Sequence, residues 1–268
     1  MFAKFYFRIM ILIFVVSCNK KESFDAIQLF GHAGNGLNIS NSVYHDNSEN
    51  SIKLALSQNG CDGVEVDVQL SKDGTAWLFH DENLKVEANL NSCINSSTDK
   101  EISELAYNHF NDEKLFKLYK LQLNSKSIVL DIRHGNACEN KVVDLDKMLM
   151  QLKSFCENNL ESQIYLNTNN FSWISELKSL ATNNLKIQIC YSPSETEDLE
   201  SISANFAVDA FLFKNNEITK EKVESLQSKG KKVLIFEVRS PKGIRSALKK
   251  YPNVIITDDL KAAIIEKY

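Results

Sequence analysis

Cys61-Asp62-Gly63-Val64-Glu65-Val66-Asp67-Val68-Gln69-Leu70-Ser71-Lys72-Asp73-Gly74-Thr75-Ala76-Trp77-Leu78-Phe79-His80-Asp81 is the stretch on which the fold turns. It opens with strict alternation. Val64, Val66 and Val68 share one face and Glu65 and Asp67 the other, which predicts a β-strand with one apolar and one acidic side. A second apolar run, Ala76–Phe79, follows after only Ser71-Lys72-Asp73-Gly74. Parallel neighbours need a crossover of about a dozen residues or more, so this run must return antiparallel, as a hairpin arm on the strand before it.

Further out, the apolar runs Ile27–Phe30, Ile128–Ile132, Ile164–Leu166, Ile187–Cys190, Ala210–Phe213, Val233–Phe236 and Val254–Ile256 also read as strands. Most are separated by helix-like segments: Ser51–Gln58, Val142–Asn158, Ser172–Asn183, Glu195–Ala204, Thr219–Lys229 and Lys242–Lys249, whose apolar residues recur every three or four positions. Repeated βα units predict a parallel α/β sheet. With Val64–Val68 counted and the arm set aside, eight strands remain. That is the number of a (β/α)8 TIM barrel, here with a β-hairpin extension on strand two. A doubly wound open sheet is the alternative. Gly31-His32-Ala33-Gly34-Asn35-Gly36 stands after the first strand, but it lacks the fingerprint spacing and the acidic ribose partner of a dinucleotide site. Glu82–Lys126, with its Asn/Ser-rich stretch Asn89–Asp99, reads as a loop over the barrel mouth.

The 268 residues are 43% hydrophobic and 25% charged with only 9 Gly and 3 Pro, which excludes disorder and collagen-like architecture. A net charge of −4 excludes a scaffold that neutralises many nucleic-acid phosphates. No oligomeric state follows from the sequence. At the N-terminus, Lys4 and Arg8 precede an apolar run from Ile9 to Val16, too short for a bilayer core of about 30 Å. This order predicts an export signal. Val15-Val16-Ser17-Cys18 resembles a bacterial lipobox, which implies cleavage before Cys18 and a lipid on that cysteine. The plainer alternative is an anchor helix or cleaved signal with an incidental cysteine. The expected organisation is a lipoprotein signal peptide over 1–17, a lipid-anchored polar tether over 18–25 and one barrel over 26–268, exported and held on the cell-envelope membrane. A cut there leaves about 250 residues, the usual size of a single (β/α)8 barrel. Cys61, Cys93, Cys138, Cys156 and Cys190 form no CxxC pair, so a zinc site is unsupported. One or two disulfides or buried free thiols remain open.

Ionisable residues gather at the predicted strand ends. His32 follows strand one, Glu65 and Asp67 lie on strand two, and His80 ends the arm. Asp131 and Arg133 share a face of the next strand. The hairpin brings His80 back beside Glu65. Glu65, Asp67 and Asp131 form an all-oxygen set that suits Ca2+ or Mg2+. The competing reading is a carboxylate cluster neutralised by Arg133 and lysines. Two histidines around such a core make an acid/base pair suited to displacement at phosphorus. His45, His109 and His134 read as solvated loop histidines without a site role, with His134 close enough to the predicted rim to be a reserve candidate.

These motifs together resemble the glycerophosphodiester phosphodiesterases. The matching pieces are Gly31-His32-Ala33-Gly34, Ser48-Glu49-Asn50-Ser51, the Cys61–Gly74 block and His80-Asp81-Glu82-Asn83-Leu84, with weaker echoes at Leu130-Asp131-Ile132-Arg133 and Ile255-Ile256-Thr257-Asp258. The resemblance implies a metal-dependent barrel hydrolase that cleaves a glycerophosphodiester to glycerol 3-phosphate and an alcohol. By the same resemblance, Glu65 and Asp67 are metal ligands, with Asp131 the third where the family usually has Glu. His32 and His80 are the acid/base pair. Asn50 shapes the pocket, Glu49 hydrogen-bonds a ligand hydroxyl or the first histidine, and Arg133 supplies charge to the phosphate. The chain departs from the family at Ala33, where an arginine is usual. Two other functions fit these residues: a divergent phosphodiesterase of the sphingomyelinase D type, and a non-catalytic envelope protein that binds phosphate esters.

Overall fold

The computed structural model describes residues 23–37, 43–110, 113–136, 138–139, 141–182 and 184–268. The signal peptide, Cys18 and most of the tether lie outside the described residues. In chain order the elements are β1 (Gln28–Gly31), α1 (Glu49–Ser57), β2 (Gly63–Leu70), β3 (Ala76–Leu78), α2 (Lys85–Ala88) and α3 (Asp99–Glu104). Then come β4 (Phe116–Lys117), β5 (Ser127–Ile132), β6 (Gly135–Asn136), β7 (Lys141–Val142), α4 (Leu145–Glu157), β8 (Ile164–Thr168), α5 (Ile174–Ser179) and β9 (Ile187–Tyr191). The chain finishes with α6 (Leu199–Ser203), β10 (Ala210–Lys214), α7 (Lys220–Ser228), β11 (Lys232–Val238), α8 (Pro241–Leu248), β12 (Val254–Thr257) and α9 (Leu260–Lys267).

Strands β1, β2, β5, β8, β9, β10, β11 and β12 pair in that cyclic order, all parallel, and β12 closes on β1. The chain is a (β/α)8 barrel. β3 lies antiparallel on β2, with Val68 opposite Leu78 and Leu70 opposite Ala76, as the short turn requires.

Alternation sorts the strand residues into two cores. Inside the barrel, Phe30, Val129, Tyr165, Cys190, Ala210, Leu234 and Ile256 fill the lumen. Outside, Val64, Val66 and Val68 join Leu29, Ile128, Leu130 and the apolar faces of the helices. Each fully buried valine or leucine is worth about 1.5–3 kcal/mol, so the solvent-free face of β2 fixes which way its acidic face points. Capping hydroxyls set where helices begin: Ser48 accepts from the Ser51 amide ahead of α1, and Thr219 does the same for the Lys222 amide ahead of α7.

Glu82–Lys126 is more ordered than a loop. It carries α2 and α3 and a small core of its own, in which Leu84, Ala88, Ile94, Ile102, Tyr107 and Leu115 pack on Trp77 and Phe79 of the arm. Thr98 and Glu101 form a capping box on α3. Asp99 accepts from Ser71 Oγ (2.6 Å) and Trp77 Nε1 (2.9 Å), which rivets this insertion to the hairpin. Sequence periodicity missed it because both helices are too short to show a period. A disulfide, Cys93–Cys138, joins the insertion to the segment after β5 with 5.8 Å between Cα atoms; Cys61, Cys156 and Cys190 are buried free thiols.

Candidate active site

Strand register assembles the site. β2 and β5 pair so that Asp67 stands beside Asp131, and β5 and β8 pair so that Asp131 stands beside Asn167. β1 and β12 pair through Gly31 and Thr257, and the His32 amide donates to the Thr257 carbonyl at 3.0 Å. One residue further on, His32 and Asp258 face each other. The result is a cavity of about 840 Å3 at the C-terminal end of the barrel, lined by His32, Glu65, Asp67, His80, Asp131 and Arg133 together with His134, Asn167, Glu237 and Arg239. This is the face where (β/α)8 barrels carry their chemistry.

Glu65 is 5% and Asp67 2% exposed. Glu65, Asp67 and Asp131 each offer an oxygen within 4.8 Å of the others. Arg133 donates from Nη2 to Asp67 Oδ1 at 2.5 Å and lies 3.4 Å from Asp131 Oδ2. Burial works against the Asp67 charge, but Arg133 outweighs it and holds this carboxyl below its usual range. Glu65 has no such partner. Burial, then the charge of Asp67, push its carboxyl up to about 8, although the Ala33 amide donates to Oε2 at 3.0 Å. Asp131 is raised as well, chiefly by burial, while accepting from Asn167 Nδ2 at 2.8 Å.

His32 is gripped from behind. Its Nδ1 bonds the fully buried Asp258, while Nε2 points into the cavity, 3.7 Å from Glu65 Oε2. Burial disfavours the charged ring, but the Asp258 hydrogen bond and the charges of Glu65, Asp258 and Asp67 prevail and lift it to about 9. His80, half exposed, bonds Asp81 Oδ1 through Nδ1 at 2.9 Å, which leaves Nε2 as the nitrogen without that proton.

Two expected site residues fall elsewhere. Glu49 pairs with Lys53 (2.6 Å) and Asn50 is exposed; both line clefts outside the mouth with Phe116 and Lys120. The reason is helical phase. Ser51, Ile52 and Ala55 are the buried residues of α1, so its first two positions face away from the mouth. His45 is buried, contrary to the solvated-loop reading, and stacks on Tyr107. His134 reaches the cavity wall, edge-on to Trp173, whereas His109 is exposed as expected.

Sequence reasoning passed over Asp258, Asn47, Asn167 and Arg239. The period-two series Val254, Ile256, Asp258 was the available signal for the first, since its two apolar members line the lumen. Arg239 donates toward Asp258 at 3.3 Å and lines the cavity, so together with Arg133 it puts two guanidinium groups at the mouth of a chain with Ala33 in place of arginine.

Arginines, close-set carboxylates and histidines at the mouth of a (β/α)8 barrel are the groups that a hydrolase of phosphoric diesters would use. Residues 32–262 match the glycerophosphoryl diester phosphodiesterase family. A glycerophosphodiester phosphodiesterase from Caldanaerobacter subterraneus subsp. tengcongensis is 25% identical over 243 residues, 88% of this chain and 96% of the relative. Among solved structures, a phosphodiesterase from Oleispira antarctica in complex with the product sn-glycerol-3-phosphate superposes with TM-score 0.75 at 17% identity, covering 89% of this chain and 96% of that one. A glycerophosphodiester phosphodiesterase from Parabacteroides distasonis gives TM-score 0.68 at 16% identity, covering 90% and 97%. The chain belongs to the glycerophosphoryl diester phosphodiesterase family and is an enzyme, a phosphodiesterase.

Proposed function

We propose that the enzyme hydrolyses a glycerophosphodiester to glycerol 3-phosphate and an alcohol, using a divalent cation, Ca2+ or Mg2+, held by Glu65, Asp67 and Asp131. The observation that carries this reading is the convergence of His32, His80, the three carboxylates and Arg133 on one cavity. The donor set fits such a cation, being all oxygen, close-set and mostly buried, with Glu65 raised by burial and by the charge of Asp67. When bound, the cation supplies charge to neutralise non-bridging phosphate oxygens and to orient the nucleophile. The protein does the rest. Arg133 and Arg239 bind the phosphate by charge-assisted hydrogen bonds. His80 Nε2 accepts the proton of the attacking water; if the neighbouring glycerol hydroxyl attacks instead, the alcohol leaves with formation of a cyclic phosphate, which a water then opens to glycerol 3-phosphate. His32, kept protonated by Asp258, donates from Nε2 to the leaving alkoxide. The relative solved with sn-glycerol-3-phosphate supports the choice of substrate.

The test is release of glycerol 3-phosphate from glycerophosphocholine by the chain lacking its first 18 residues, with Ca2+, Mg2+ or EDTA, beside His32→Ala and Glu65→Ala. Activity that ignored chelation and both substitutions would overturn the assignment. A diester with a nitrophenolate leaving group separates the histidines: it should rescue His32→Ala but not His80→Ala, because a good leaving group needs no proton.

We also infer export and a lipid anchor on Cys18. The Cys93–Cys138 bridge supports this, because disulfides persist in oxidising compartments. Among the described residues no helix is long and apolar enough to cross a membrane. Mass spectrometry of the mature N-terminus, with Cys18→Ser as control, decides it; an unmodified wild-type start would sink the claim.

A further inference from the structure

Asp67 is held on both sides by one residue. Asn47 Nδ2 donates to Asp67 Oδ2 at 2.9 Å, and the Asp67 amide donates to Asn47 Oδ1 at 2.9 Å. Asn47 is 1% exposed, has the left-handed φ of 57°, and is tied to the first βα loop by its amide, which donates to the Ala33 carbonyl at 2.8 Å. Arg133 grips the other carboxylate oxygen, so the Asp67 side chain has no freedom to turn.

Two residues before Asn47, the chain is bolted to the insertion. The His45 ring stacks on Tyr107 with centroids 3.7 Å apart and planes 9° from parallel, and meets Phe110 edge-on at 4.9 Å. His45 Nε2 lies 2.7 Å from Glu87 Oε2 and Nδ1 lies 2.5 Å from Asp46 Oδ1. Its amide donates to Glu113 Oε2 at 2.6 Å. Tyr107, Phe110, Glu87 and Glu113 all belong to the insertion, which is itself fastened to the hairpin and by the disulfide to the segment after β5.

We infer that Asn47 is a positioning residue that fixes the orientation of Asp67, and that a His45-centred joint with the insertion holds Asn47 in place. Through this joint the insertion acts on Asp67 in addition to lining the cavity with Glu82 and Asn95. Three features distinguish this from ordinary packing. The amide engages both the backbone and the carboxylate of Asp67. The left-handed backbone at Asn47 is one in which Asn, Asp and His are enriched over other side chains. The joint is polar and aromatic, so it has a defined geometry that an apolar contact would not impose. The inference rests on the reading of Asp67 as a cation ligand.

The test uses Mn2+ affinity by electron paramagnetic resonance, kcat and KM on glycerophosphocholine, and thermal stability. Asn47→Asp keeps the size, the acceptor and the tolerance of positive φ but sets a carboxylate against Asp67 Oδ2. It should weaken Mn2+ binding and lower kcat about 10- to 100-fold, as loss of a group orienting a metal ligand does, with KM little changed. Asn47→Gly, which keeps the backbone shape, should lose less because no repulsion is added. The joint is read by a double-mutant cycle: His45→Ala should lower kcat in the wild-type background and have little further effect in Asn47→Gly. Glu87→Gln, at a partly exposed position, serves the same cycle if His45→Ala is poorly folded. Mn2+ affinity and kcat within two-fold of wild type for Asn47→Asp would overturn the positioning role, and additive effects in the cycle would overturn the joint. A wild type that bound no divalent cation would defeat the reading of the carboxylates instead, and the kcat comparisons would then decide the role of Asn47 alone.

Discussion

Replacing Asp258 by Asn tests the catalytic reading at a residue that touches neither phosphate nor cation in the proposed scheme. The side chain is fully buried, bonds His32 Nδ1 and receives Arg239 Nε at 3.3 Å. With it, the His32 ring stands at about 9 in place of an ordinary 6.5, net of the burial that opposes the charge. At 1.36 kcal/mol per pH unit this difference is worth about 3 kcal/mol in favour of the protonated ring. Asp258 supplies the hydrogen bond and one of three attractive carboxylate charges. Taking these as about half of the total, its neutralisation costs about 1.5–2 kcal/mol. The proton donor then empties at lower pH, so the basic limb of the kcat profile should move at least about one unit toward neutrality. At pH 8 the smaller protonated fraction should lower kcat on glycerophosphocholine about two- to four-fold, and by more as pH rises, with KM little changed because the phosphate contacts remain. The assay is a pH series of initial rates, with circular dichroism melting as a check on folding. A folded Asp258→Asn variant with the wild-type basic limb would refute the assignment of His32 as the donor.

Three further outcomes follow from the same geometry. Glu65 and His32 both bind protons more tightly in the folded chain, with values of about 8 and 9 against ordinary ones near 4.5 and 6.5. The stability they contribute is fully present below about pH 4.5 and 6.5 respectively and is lost as pH rises through 8 and 9, so melting temperature in EDTA should decline across that window and a divalent cation should restore it; a flat profile that ignores the cation would contradict the shifts. Arg133→Ala removes the guanidinium from Asp67 and from the cavity and should raise KM by about tenfold or more, read by steady-state kinetics; an unchanged KM would remove Arg133 from phosphate binding. Opening the Cys93–Cys138 bridge, which spans 45 residues of sequence, by Cys93→Ser should cost about 2–4 kcal/mol in urea denaturation.

Much of the fold could be read from the chain because barrel strands are short apolar runs whose neighbours are set by order alone. Each of the eight expected runs is a barrel strand, and the turn Ser71–Gly74 correctly marked the ninth as an arm. The face of Glu65 and Asp67 was equally legible, since period two and the solvent-free valines admit one orientation. The insertion was not, because its helices of four and six residues carry too few turns for a periodicity. Glu49 and Asn50 illustrate a different limit. Motif resemblance placed them beside the pocket, but where a helix begins, and hence which way its first residues face, depends on a single capping residue, Ser48.

Residue order alone carried the strand count, the antiparallel arm and the inward carboxylates, because these depend on local geometry: alternation along a strand and the reach of a short turn. Tertiary structure decided which distant groups meet. Asp258 is 226 positions from His32, and only closure of β12 on β1 makes them partners. His45 lies 42 positions from Glu87, and the joint they form exists only once the insertion packs on the arm. The protonation of His32 and of Glu65 belongs with these. Both depend on charges brought within a few ångströms at buried positions, where Coulomb interactions count for several times their value in solvent, and no spacing along the chain encodes that distance.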